Sequence, residues 1–215
     1  MVLEGEEDYL VQLFSSKLVI LSDEWTINDN NFIRFNSNTV ETNNLEMTNK
    51  DRKILLENLK DIGLKLSVEN IDLDFINNIW DYPPLEFGGT VNLYSTVKNL
   101  FKLEQLSTII TSNSLQINGD DYGQLLITAG TPSIRNEVEV GVAISKGRQK
   151  ILAEGYYNPP TIKVVEPKNK NQTITDPKNF FDFDVTINDF PIYFFEYLLK
   201  PSIKETVGTI DIDGR

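Results

Sequence analysis

The chain has 215 residues, 40% of them hydrophobic and 24% charged, which is enough apolar material for a packed core and too much for a disordered acidic tail. Its 20 basic and 32 acidic residues give a net charge of −12, which argues against a nucleic-acid partner, since that needs clustered Lys and Arg. Cysteine and histidine are both absent, which excludes disulfides, thiol nucleophiles, Cys-ligated zinc and the commonest general base.

The first residues, Met1-Val2-Leu3-Glu4-Gly5-Glu6-Glu7-Asp8, are acidic and have neither the basic region nor the apolar stretch of a signal peptide. That start fits a cytoplasmic protein or an internal piece of a longer one. No apolar run approaches the roughly 20 residues that a spanning helix needs. Further along, the chain alternates with period two. Ile62, Leu64, Leu66 and Val68 alternate with Gly63, Lys65 and Ser67. Val91 and Leu93, then Leu115 and Ile117, are shorter examples. Val138, Val140, Val142 and Ile144 alternate with Glu139, Gly141 and Ala143; Ile162 and Val164 follow the same rule. Phe181, Phe183, Val185 and Ile187 alternate with Asp182, Asp184 and Thr186, and Ile210 and Ile212 close the series. Successive side chains on a strand point to opposite faces, so each segment predicts a strand with one apolar and one polar face. Turn chemistry at Asn118–Gly123, Ala129–Pro132, Ser145–Gly147 and Asn158–Pro160 separates them. The fold class is therefore all-β and antiparallel.

Two short helices interrupt this pattern, near residues 71–80 and 190–199. Asn70 is the expected cap of the first. Asp189 is the expected cap of the second, with Pro191 in its first turn and Lys200-Pro201 at its end. The stretch Glu166–Thr173, which includes a sequon at Asn171, is expected to be an exposed loop.

Displacing the chain by 119 residues, the difference between positions 62 and 181, places Ile62, Leu64, Leu66 and Val68 on Phe181, Phe183, Val185 and Ile187 without a gap. Asn70 then falls on Asp189, Phe75 on Phe194, and Gly89-Thr90-Val91 on Gly208-Thr209-Ile210. This predicts a repeat of strand, short helix and Gly-marked strand. Residues 1–61 end a preceding unit, 62–180 form one unit and 181–215 begin the next, in one continuous β segment of a longer protein.

Three stretches carry a family resemblance. The first is Leu21-Ser22-Asp23-Glu24-Trp25-Thr26-Ile27-Asn28-Asp29-Asn30-Asn31-Phe32-Ile33-Arg34-Phe35 followed by Leu45-Glu46-Met47-Thr48-Asn49, a Trp strand, an Asn turn and a strand ending in polar residues. The second is Leu73 to Trp80 with Gly88-Gly89-Thr90-Val91-Asn92-Leu93. The third is Asn188-Asp189-Phe190-Pro191-Ile192-Tyr193-Phe194 with Val207-Gly208-Thr209-Ile210-Asp211-Ile212-Asp213-Gly214. Together they resemble the TamB (translocation and assembly module) family of the AsmA-like group, and the Asn-, Lys- and Ile-rich usage resembles its Bacteroidota members. The resemblance implies a curved, taco-like antiparallel β-sheet trough, built from repeats, with short helices at its edges. It implies a parent protein in the periplasm, anchored in the inner membrane by a segment outside this chain. That parent works with an outer-membrane barrel partner (TamA-like) and carries phospholipid along the trough in outer-membrane biogenesis.

The residues themselves leave two readings of the apolar face. It is the closed core of a sandwich or barrel, or an open groove suited to phospholipid acyl chains, each buried CH₂ being worth ~0.8 kcal/mol. In the second reading the alternating residues Ile62–Val68, Val91, Leu93, Leu115, Ile117, Val138–Ile144, Phe181–Ile187, Ile210 and Ile212 line it. No catalytic residue and no cofactor is expected. Asp182 and Asp184 share the polar face, and Asp211-Ile212-Asp213-Gly214 lacks the remaining ligands of a calcium loop. Trp25 and Trp80 read as core or rim aromatics, or as a grip on a sugar or a protein. The alternatives to lipid carriage are a β-repeat structural or adhesive protein at a bacterial surface or in the periplasm, and a carbohydrate-active β-sandwich using paired carboxylates.

Overall fold

The computed structural model describes residues 8–14, 16–20, 22–36, 39–79, 85–132, 137–157, 181–191, 193–195 and 209–214. In chain order the elements are β1 (Tyr9–Val11), β2 (Lys17–Ile20), β3 (Asp23–Ile27), β4 (Phe32–Phe35), β5 (Val40–Asn43), β6 (Leu45–Asn49), β7 (Arg52–Leu59), β8 (Gly63–Asp72), α1 (Asp74–Ile79), β9 (Phe87–Gly88), β10 (Thr90–Val97), β11 (Ser107–Ile117), β12 (Asp120–Gly130), β13 (Val138–Lys146), β14 (Gln149–Tyr157), β15 (Phe181–Pro191) and β16 (Thr209–Gly214). A small sheet holds β1, β4 and β5. All other strands join one 13-stranded antiparallel sheet in the order β16-β15-β14-β13-β12-β11-β10-β8-β7-β6-β3-β2, with β9 paired to the far end of β11. The sheet is curved and does not close into a barrel.

Register divides the two faces. Ile127, Val142, Ala153 and Val185 lie opposite one another across β12 to β15. The neighbouring row, Thr128, Gly141, Glu154 and Asp184, faces the other way. We call the apolar side the inner face. The buried core gathers at one end of it, where Leu73, Leu115, Ile117, Tyr122, Ile144, Ile187, Phe190 and Phe194 pack together.

The repeat appears in the hydrogen-bond register. Thr90, Val91 and Leu93 of β10 pair with Asp72, Ile71 and Val68 of β8, with a bulge between the last two pairs. Thr209, Ile210 and Ile212 of β16 pair with Pro191, Phe190 and Ile187 of β15, with the bulge at the same step. Every partner is displaced by 119, as 209 − 90 and 191 − 72 both give.

Two sequence expectations are corrected here. Asn70 and Asp189 are not helix caps. Each sits in its strand's bulge with a left-handed backbone, at φ 55° and 48°. Helix α1 starts four residues after Asn70, at Asp74, whose carboxylate suits the positive end of a helix. Pro191 ends β15, and helix appears at residues 193–195. The physical reason is that Asn and Asp tolerate the left-handed region and serve bulges as readily as caps. The segments around Ile162 and Val164, the Glu166–Thr173 loop with Asn171, and Trp80 lie outside the described residues.

Candidate functional site

On the inner face, β8 and β10 to β13 leave a groove of about 500 Å³. Its floor is built strand by strand. β8 contributes Val68 and Ile71, which share a face although three apart because the bulge at Asn70 absorbs the extra residue. β10 supplies their partners Leu93 and Val91. β11 supplies Ile110 and, after a second bulge, Leu115 and Ile117. Leu125 and Ile127 come from β12 and Ile144 from β13. The remaining lining is Leu73, Leu85 and Phe87 from around α1, and Phe194 from the helical turn after β15.

Irregular backbone at the groove is held by hydrogen bonds that leave its side chains free to face inward. Asn77 Nδ2 donates to the Phe87 carbonyl and the Phe87 N–H donates to Asn77 Oδ1, both at 2.8 Å. On the other side the Glu86 N–H donates to Asn118 Oδ1 and the Asn118 N–H donates to the Glu86 carbonyl, both at 2.7 Å. The Leu73 N–H donates to the Gly89 carbonyl at 2.8 Å. Gly89 has φ +98°, and a Cβ there would run into the Ser114 carbonyl, so only glycine lets the β9–β10 corner lie this close to β11.

Of the residues expected to line a groove, Val68, Val91, Leu93, Leu115, Ile117 and Ile144 do so. Leu64, Leu66, Val138, Val140, Val142, Phe183 and Val185 share the inner face by register but do not line this groove. Ile187 is buried in the adjoining aromatic cluster, and Ile212 is exposed on β16. Ile62 is not on the apolar face of a strand. It lies exposed in the β7–β8 turn, because β8 begins at Gly63 with φ +97°. The side chains of Phe181 and Ile210 lie outside the described residues, although their backbones pair with Tyr157 and Phe190. Ile71, Leu73, Leu85, Phe87, Ile110, Leu125, Ile127 and Phe194 are lining residues that the alternation did not reveal.

All fourteen lining side chains are hydrocarbon, and none carries a titratable group. The charged groups lie elsewhere. Arg52 Nη1 donates to Asp23 Oδ2 at 2.7 Å and Nη2 donates to Asn49 Oδ1 at 2.9 Å, while the guanidinium lies 5.6 Å from the centroid of the buried Trp25 ring. This contact holds the Asp23 carboxyl below the usual aspartate value and raises the Arg52 guanidinium. Asp121 is likewise lowered, by Lys146 at 3.0 Å and by the Gly123 N–H at 2.8 Å. A second hollow, of about 590 Å³, lies on the polar face, bordered by Glu139, Glu154, Asp182 and Asp184. Among the described residues no group of three or more acidic side chains is placed to hold a metal ion, and no helix is long and apolar enough to cross a membrane.

No protein-family model, curated protein or solved structure matches the chain.

Proposed function

We propose that the inner-face groove holds hydrocarbon chains, and that the chain is a lipid-carrying segment of an envelope-spanning, TamB-like protein. The observation that carries this reading is a groove of about 500 Å³ without one polar side chain in its lining. A peptide laid there would lose water from its amide groups and find no partner, at a cost of roughly 1–3 kcal/mol for each group left unpaired. A hydrocarbon chain has no such groups. A chain burying about ten methylenes gains roughly 8 kcal/mol. Association costs roughly 4–15 kcal/mol in lost freedom.

In this reading the polar head stays outside the groove, because nothing inside would pair with it. The chain performs no catalysis and needs no cofactor. Its partners are phospholipid acyl chains and, for the parent protein, a TamA-like outer-membrane barrel. Its place is the periplasm or cell envelope, and its role is in outer-membrane biogenesis. The sequence resemblance and the open, curved sheet support this assignment.

The test is photo-crosslinking with a phospholipid carrying a diazirine on its acyl chain, read by mass spectrometry of peptides. Labelling at Leu93, Ile110 and Leu125 supports the reading, with loss of labelling in Ile110→Asp at an unchanged fold by circular dichroism. Labelling spread evenly over both faces, or none on the inner face, overturns it.

A further inference from the structure

We infer that Phe194 forms the end wall of the groove and sets the length of hydrocarbon chain it accepts; this rests on the lipid reading above. Thirteen of the fourteen lining residues fall between Val68 and Ile144, and among the described residues Phe194 alone reaches the groove from beyond β15. Its ring is 8% exposed and sits edge-on to Tyr122 at 5.2 Å, Phe190 at 5.1 Å and Phe195 at 5.3 Å between centroids. Tyr122 and Phe190 stack on each other at 5.6 Å. Tyr122, Phe190 and Phe194 touch one another pairwise and Phe195 closes on Phe194, so the Phe194 ring is braced by three others and makes a stiff barrier.

The apolar surface itself does not stop at this point. Register carries it from Ile144 on β13 to Ile151 on β14 and Ile187 on β15. Ile151 and Ile187 are packed against the cluster that includes Phe194, and neither lines the groove. What terminates the groove beside Ile144 is therefore steric, because the surface chemistry is the same on both sides. A chain running along the floor towards β14 meets the Phe194 ring as a wall, and further methylenes have to leave the groove, where they bury less surface and gain less. The groove acts as a ruler whose end stop is one side chain.

The test uses the full chain and saturated fatty acids from octanoate to stearate, competing against a pyrene-labelled fatty acid. For the unsubstituted protein, affinity rises with each added carbon and then levels off. In Phe194→Leu and Phe194→Ala the levelling-off point moves to longer chains, by at most roughly six carbons, the number the alanine truncation removes. In Phe194→Trp it moves to shorter ones. Leu126→Ala, on the opposite face of β12 and outside the groove, leaves it in place. Phe194→Leu and Phe194→Trp keep an apolar side chain, and a melting temperature near that of the parent shows that the fold survives. A plateau that stays at the same length in both variants overturns the ruler while leaving lipid binding intact. Failure of the unsubstituted chain to bind any fatty acid, or displacement of the probe only by an amphipathic peptide, overturns the lipid reading and the ruler with it.

Discussion

Asn70 and Asp189 occupy the same bulge, 119 positions apart. Both have a left-handed backbone, at φ 55° and 48°, and both sit where the partner strand skips a step, between Val91 and Leu93 for one and between Ile210 and Ile212 for the other. Repeating strands is easy for a β protein, but repeating an irregularity at the same step requires the same local solution twice.

The bulge makes a prediction about residue type. The left-handed region costs an ordinary L-residue roughly 1–2 kcal/mol, and Asn and glycine avoid most of it. Asn70→Val is expected to lose about 1–2 kcal/mol, read as a fall in urea midpoint at unchanged slope, and Asn70→Gly to lose less than half of that. Equal losses for both would show that the Asn70 Nδ2 bond to the Asp51 carbonyl at 3.1 Å, which both remove, matters more than the backbone.

Two glycines separate conformation from space. Gly147 has φ +63° with open space where a Cβ would lie, whereas Gly89, at φ +98°, faces the Ser114 carbonyl. Gly147→Ala should cost about 1–2 kcal/mol from the backbone alone. Gly89→Ala adds overpacking of roughly 1–3 kcal/mol and distorts the groove corner. Paired thermal melts of the two variants check the difference, and equal melting temperatures would contradict a close β9–β11 approach.

Phe190 is fully buried while Ile212, across the bulge, is 42% exposed. Phe190→Ala is expected to cost about 3–5 kcal/mol. Ile212→Ala should stay below about 1 kcal/mol, within the range of exposed positions. Chemical denaturation of both variants tests whether the inner-face core lies in the aromatic cluster and thins towards β16.

The pattern of success and failure in the sequence follows from local physics. Val138, Val140, Val142 and Ile144 announce their strand because each apolar residue is followed by a small or polar one, and β13 realises that alternation. In β12, Leu125-Leu126-Ile127 is apolar throughout and hides its period. Leu125 and Ile127 enter the groove, while Leu126 stands 43% exposed on the other face. The parity of Ala129 in the same strand was the available signal. Leu85 and Phe87 follow no period because they lie on backbone held by Asn77 and Asn118, contacts between residues 10 and 32 apart that no local pattern encodes. Asn70 and Asp189 misled for a different reason, since the side chains that cap helices are those that also tolerate a left-handed bulge.

The Asp23–Arg52 contact predicts an acid-side effect. Asp23 titrates below its usual value of 3.8, so its contribution is fully present above that value and is lost as the pH falls through the lower folded value. Asp23→Asn should lower the melting temperature at neutral pH, and the gap from the parent should close below about pH 4 as the parent's own carboxylate protonates. A gap that stays constant on acidification would assign the effect to packing against Trp25 rather than to the charge pair.

A lining without polar atoms also fixes the calorimetric character of whatever settles in it. Water beside those fourteen side chains bonds only to other water, and a greasy guest that displaces it removes apolar surface from contact with solvent on both partners. Titration at several temperatures would then give a heat of binding that falls steeply as temperature rises, a negative heat-capacity change, whatever its sign at any one temperature.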